Sequence, residues 1–278
     1  MSYPLTRISP ITSGRERSPD LWGNILEAYA DDPVIGALRS NDFYAPHTQG
    51  INTYEEGWFL NEDAAAGATG ESFATNGNPD GHALLLATTG TAHQAVKVQA
   101  GPSTTVSEGI VLPTASNGKS DVVFEARVAL LTTANPTCFI GLAEQNTAIL
   151  STTSVPNDTL DYIGFYRLSN GDLQFIVRND NNGGTAVEYD VNVVASANVP
   201  NTGFTKLGFR VNHDNKVEIF IDGVQVKVTS DTGAKIAVPS TALPIEVLAR
   251  TLLTGRGATA ANATSTIVCD RIECFVAE

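Results

Sequence analysis

The pattern of apolar and polar positions changes period once along this chain. Leu21, Trp22, Ile25, Leu26 and Tyr29 recur at the spacing of one helix face. Ser18 suits the N-cap, Pro19 the first helical position and Asp20 the positive end of the helix dipole. Asp32-Pro33 then opens a second short turn carrying Val34, Ile35 and Leu38. From about residue 43 onward the period is two. Strands are expected at 56–60, 82–88, 94–99, 109–113, 121–131, 137–144, 185–194, 244–251 and 265–276. A hairpin is expected at 161–180, turning at Ser169-Asn170-Gly171, and a hairpin pair at 204–228.

Within the last of these, "IDGVQV" places Asp222-Gly223 between two apolar runs. Both central residues of a type I′ turn need positive φ, which Gly adopts freely and Asp tolerates. Asp222 therefore reads as a hairpin corner rather than as a ligand to a metal or a sugar.

About a dozen strands separated by turns, with almost no helix, describe an all-β protein: an antiparallel jelly-roll β-sandwich with an N-terminal extended arm and short helix. The first twenty or so residues are rich in Pro, Ser, Thr and Arg and read as the arm. The expected division is an arm and helix over 1–42 and the sandwich over 43–278. The low-complexity piece 255–266 reads as a surface loop, and no internal repeat is visible.

A length of 278 residues allows a substantial core without staples. The formal net charge is -13, from 30 acidic and 17 basic residues, with no local Lys/Arg cluster. Such a surface repels phosphate backbones and anionic lipid, so neither nucleic acid nor membrane is expected as a partner. No apolar run approaches the roughly 20 residues of a membrane span, and the N-terminus lacks a signal-peptide core. The three cysteines, Cys138, Cys269 and Cys274, form no CxxC or zinc pattern and read as buried free thiols, which favours a reducing compartment. Cys269 and Cys274 lie five apart in one strand and are expected on opposite faces.

Candidate chemistry is sparse. "EYDVN" offers Glu188 and Asp190, but Asn192 stands where a Glu-x-Asp-x-Glu hydrolase strand carries its acid, and Asn cannot donate that proton. His47, His82, His93 and His213 belong to no catalytic or metal-binding pattern. Oxygen-rich loops at 179–184 and 212–215 make Asp180 and Asp214 the first residues to consider for calcium, although Asn and Asp also form ordinary turns. Trp58, Tyr162, Tyr166 and Tyr189 are candidate sugar-stacking aromatics, and equally ordinary strand residues. No cofactor is expected.

"FTKLGFRVNHDNKVEIFIDGVQV" resembles the core hairpins of laminin G-like, concanavalin A-like jelly rolls. The succession EARV, FIGL, DYIGFYR, LQFIV, TKLGFRV and VEIFIDGVQV resembles more narrowly a group of tailed-bacteriophage virion proteins, some of which sit on the capsid. That resemblance spans roughly residues 43–278 and implies a non-enzymatic virion structural protein, such as a capsid decoration or head-associated protein. The implied partners are the major capsid protein or other virion proteins, with a homo-oligomer, a trimer foremost, assembled in the host cytoplasm. Leu21, Trp22, Ile25, Leu26 and Tyr29 would then dock the arm on a neighbouring subunit or shell. The plainer alternative is that this face caps the chain's own sandwich. The functional alternatives are a lectin-like carbohydrate-binding module that aids adsorption to host glycans, or a tail or fibre component.

Overall fold

A computed structural model describes residues 17–23, 36–41, 54–55, 58–62, 71–73, 84–87, 95–100, 110–111, 121–130, 137–143, 160–167, 172–179, 187–194, 203–212, 217–226, 242–243, 245–250 and 266–277. They form helix α1 (Pro19–Trp22) and strands β1 (Gly36–Asn41), β2 (Tyr54–Glu55), β3 (Trp58–Glu62), β4 (Glu71–Phe73), β5 (Leu84–Ala87), β6 (Ala95–Ala100), β7 (Ile110–Val111), β8 (Val122–Leu130) and β9 (Thr137–Ala143). The remaining strands are β10 (Tyr162–Arg167), β11 (Leu173–Asn179), β12 (Val187–Val194), β13 (Thr205–Val211), β14 (Val217–Ile221), β15 (Val224–Val226), β16 (Ala242–Leu243), β17 (Ile245–Arg250) and β18 (Thr266–Ala277). Every segment with the two-residue period contains a strand.

The strands make two large sheets. The first runs β15-β14-β13-β8-β18-β5-β4, and β1 also pairs with β18. The second runs β12-β11-β10-β9-β17-β6-β3-β2, while β7 and β16 pair separately. The chain passes between sheets, from β8 to β9–β12, back to β13–β15, and again from β17 to β18. This is the antiparallel jelly-roll sandwich expected from the sequence.

Aromatic side chains identify the inner faces. Phe124 and Phe209 are register partners in the first sheet and stack with centroids 4.9 Å apart. Phe165 and Phe175 are partners in the second, edge to face at 5.2 Å, and Phe175 reaches Phe209 across the layer at 5.4 Å. All four are fully buried, and each such ring contributes roughly 1.5–3 kcal/mol relative to exposure.

Three expectations are corrected. Cys269 and Cys274 share a face, because β18 bulges between Cys269 and Arg271. Cys269 lies opposite Val128 and Cys274 opposite Phe124, both on the inner side, since the extra residue cancels the odd spacing. Four partner positions still separate the two thiols by about 13 Å, too far for a disulfide. All three cysteines are free and buried. Burial pushes the Cys138 thiol up to about 12 and raises those of Cys269 and Cys274 as well.

Helix α1 ends at Trp22, where Gly23 leaves the helical region with φ 53 and its N–H bonds the Pro19 carbonyl. Ile25, Leu26 and Tyr29 lie outside the described residues. Leu38, placed by its spacing in a second helical turn, belongs to strand β1, whose pairing with the free edge of β18 overrides the local pattern.

The Asp-Gly corner has the expected geometry, with φ 49 at Asp222 and 79 at Gly223. Its carboxylate also works in the ladder. Asp222 N–H donates to the Lys206 carbonyl at 2.9 Å, while Asp222 Oδ1 accepts the Lys206 N–H at 2.8 Å and the Thr205 hydroxyl at 3.0 Å. The side chain thus extends the β13–β14 pairing by one step beyond Leu207 opposite Ile221.

Candidate functional site

The outer faces of the two sheets differ. On the first, side chains of Val123, Glu125, Phe220, Glu273 and Phe275 alternate away from the core, with Gly208 among them at an outward-facing position, as their register shows. Residues 17–23 lie across this face as a strap. Leu21 and Trp22 are 1% and 0% exposed and pack with Val123, Phe220 and Phe275, with Leu38 alongside. Gly208 is needed for this contact, since a Cβ there would stand 2.4 Å from Leu21 Cδ2.

Polar bonds fix the strap. Glu125 and Glu273 are cross-strand partners and both are buried. Two carboxylates opposed in a ladder repel each other unless each has its own donors. Glu125 Oε2 accepts the Ser18 N–H and the Trp22 indole N–H, both at 3.0 Å. Glu273 accepts a fork from Arg17, Nε at 2.9 Å and Nη2 at 3.1 Å, and a further bond from Arg271. The Arg17 guanidinium lies 4.7 Å from the centre of the Trp22 ring. Beside them a buried Arg127–Asp270 pair is covered by the Phe204 ring, 4.2 Å from the Arg127 guanidinium carbon. Ser18 occupies the N-cap position without a side-chain cap bond, its N–H going to Glu125 instead.

On the second sheet, register places three rows across β9, β10, β11 and β12: Ala143–Tyr162–Arg178–Glu188, Gly141–Gly164–Ile176–Asp190 and Phe139–Tyr166–Gln174–Asn192. The β9–β10 half is apolar and covered: Phe139, Tyr162, Tyr166 and Ile176 form a buried cluster with Ala143 and Leu160. Toward the edge the rows become polar, and Gln174 and Arg178 are half-buried. Edge strand β12 brings Glu188, Asp190 and Asn192 into line with them.

Of the sites expected from sequence, Leu21 and Trp22 are buried against this chain's own first sheet, the plainer of the two expectations for that face. Tyr162 and Tyr166 are too buried to stack on a sugar. Tyr189 is the register partner of Val177, outside the three rows, and Trp58 lies in β3 opposite Ala100. Asp180, Asp214, His47, His82, His93 and His213 fall outside the described residues. Among the described residues no three His, Cys, Asp or Glu side chains group to hold a metal ion, and no helix is long and apolar enough to cross a membrane. Sequence reasoning missed Arg17, Glu125, Gly208 and Glu273. The available signal was a Glu two positions from an Arg inside each of two largely apolar strands, "VVFEARV" and "RIECFV".

No family model matches the sequence, and no curated protein is significantly similar to it. Solved structures share its fold. A protein of unknown function from Shewanella oneidensis MR-1 is 13% identical with a TM-score of 0.50, covering 88% of this chain and 87% of that one. A β-glucanase of Bacillus licheniformis is 13% identical with a TM-score of 0.48, over 86% of this chain and 98% of that one. An endo-1,3-β-glucanase from Streptomyces sioyaensis is 12% identical with a TM-score of 0.47, over 90% and 99%. Others are glycoside hydrolases and a carbohydrate recognition domain. At this identity the likeness shows the concanavalin A-like sandwich. It also corrects the expectation of a non-enzymatic protein: several sandwiches of this shape are glucanases, so the fold gives no ground for excluding turnover. Asn192 does not exclude it either, because Glu188 and Asp190 remain two carboxyls at alternate positions of one strand, with Cα atoms roughly 7 Å apart. The narrower resemblance to virion proteins has no counterpart among these structures.

Proposed function

We propose that this chain recognises carbohydrate, through the outer face of the second sheet where β11 meets β12. The observation that carries this reading is the polar end of the three rows: half-buried Gln174 and Arg178 in register with Asn192 and Glu188, with Asp190 between them. Amide, guanidinium and carboxylate groups on a shallow sheet face supply the paired donors and acceptors that sugar hydroxyls take. Glu188 and Asp190 are the carboxyls to test for hydrolysis, one protonated as acid and one ionised.

A glycan array probed with the full chain tests this. We expect binding to a polysaccharide that weakens about tenfold in Gln174→Ala, the loss of roughly 1.4 kcal/mol, with an unchanged melting temperature. Release of reducing ends, lost in Glu188→Gln or Asp190→Asn, would extend the reading from binding to catalysis. Failure to bind any glycan, with co-sedimentation on phage capsids, would overturn it. That outcome would favour the virion role, which rests on the resemblance of the strand order alone.

A further inference from the structure

We propose that Asp222-Gly223 is a site of spontaneous backbone rearrangement restrained by the fold, so that isoaspartate at this corner marks chains whose β13–β14 end has opened. The inference is independent of the carbohydrate reading and concerns a different part of the sandwich. Asp222 is exposed, and it is the one non-glycine residue with positive φ among the described residues. A glycine follows it, so no side chain shields the next backbone nitrogen. In such a pair that nitrogen can attack the Asp222 Cγ. The N–Cγ bond forms as a Cγ–O bond breaks, and the carboxyl hydroxyl leaves as water with the amide hydrogen. Water then reopens the cyclic imide at either carbonyl. Opening at Cγ restores aspartate. Opening at the former backbone carbonyl leaves the main chain running through Cβ and Cγ, which is isoaspartate. No reagent other than water takes part.

Two bonds across the ladder oppose the attack. Asp222 Oδ1 accepts the Lys206 N–H at 2.8 Å and the Thr205 hydroxyl at 3.0 Å, both on β13. The Asp222 N–H in turn donates to the Lys206 carbonyl at 2.9 Å. Reaching the Gly223 nitrogen requires the carboxyl to leave both donors, and neither donor can follow it. One is main chain in the β13–β8 ladder, and Thr205 is 2% exposed opposite Val128. The restraint is therefore as strong as this end of the ladder. Beyond β14 lies β15, three residues long and largely exposed, the last strand of its sheet among the described residues. Such corners open at lower cost than a sheet interior.

Conversion would not be undone by refolding. It adds one main-chain atom between Ile221 and Val224, the register pair that the two-residue corner joins. It also turns the side-chain acceptor of the Lys206 N–H into part of a peptide link. Ser18 of the strap rests on the same corner, its Oγ 3.1 Å from where a Gly223 Cβ would be.

The test uses the full-length chain, incubated in native buffer and in urea. Peptide maps are read over time for an Asp222 peptide of unchanged mass, altered retention and resistance to an aspartate-specific protease. Conversion in native buffer is expected to be at least about tenfold slower than in urea, where both bonds are gone. Thr205→Val removes one donor while keeping the side-chain volume, and should raise the native rate about fivefold, the worth of one hydrogen bond. Val211→Ala loosens the far end of the same strand, at a buried site opposite Val217, and should raise the rate less. Equal rates in native buffer and urea overturn the proposal. So does a Val211→Ala chain that converts as fast as Thr205→Val, because global unfolding would then set the rate. Should Thr205→Val fail to fold, the native and urea rates of the unmodified chain decide.

Discussion

The two sheets meet the same problem on their outer faces and solve it differently. Each carries apolar side chains pointing away from the inter-sheet layer, Val123, Phe220 and Phe275 on one and Phe139, Tyr162, Tyr166 and Ile176 on the other. The first is closed by a segment distant in sequence, held by charge-assisted bonds to two buried carboxylates. The second passes from a closed aromatic half to a polar edge within its own strands. Glycine serves both faces in opposite ways. Gly208 leaves space for the Leu21 side chain, whereas Gly141 and Gly164 are register partners that bring two backbones together. A face covered by a strap can be uncovered.

The largest effect should come from the strap's anchor. Trp22→Ala removes a fully buried ring and leaves Glu125 with only the Ser18 N–H, so a loss of about 3–5 kcal/mol is expected in urea unfolding. A loss below about 1 kcal/mol would mean that the first face stands without its strap, and the contrast would fall.

The two glycine notches rank next. At Gly141 a Cβ would stand 2.3 Å from the Ile163 carbonyl oxygen, a backbone atom that cannot move alone. Gly141→Ala should cost about 3 kcal/mol. At Gly208 the nearest obstacle is the tip of Leu21, which can turn aside, so Gly208→Ala should cost nearer 1 kcal/mol and shift Trp22 fluorescence to the red as the strap loosens. Equal costs at the two sites would erase the distinction.

The smallest effect concerns the layer both faces enclose. Its thiols are held neutral by burial, with Cys138 raised from 9.0 to about 12. Above pH 9 the unfolded chain releases thiol protons that the folded one retains, so stability is full below that pH and declines as pH rises toward 12. Each buried thiol adds a slope on the order of 1 kcal/mol per pH unit. A flat unfolding midpoint over this window would mean that water reaches the thiols in the folded state.

Much of this was readable in advance, and the reasons differ by element. The core segments of β8 through β14 follow from short runs of apolar, β-branched and aromatic residues between turn signals, with β8, β9 and β10 buried on both faces. The Asp222-Gly223 turn follows from backbone sterics local to two residues. Strand β1 and the early end of α1 did not follow. Leu38 has a helix-compatible spacing, and only the open edge of β18 makes it a strand. The bulge at Asp270 is announced by no glycine or proline, and a single Asp among strand residues does not mark one, so the shared face of Cys269 and Cys274 was hidden. The polar edge of the second sheet was half visible: "EYDVN" stood out as carboxylates, but its alignment with Gln174 and Arg178 depends on pairing.

The sequence by itself determined the sandwich, its hairpins and its acidic, low-charge surface, because these rest on periodicity and on the preferences of single residues. Only the tertiary structure decided where the amphipathic segment at 17–23 goes and what Glu125 and Glu273 are for. Those answers depend on residues more than 100 positions apart meeting on one face, and no local pattern encodes which of two chemically suitable surfaces a short apolar segment will cover.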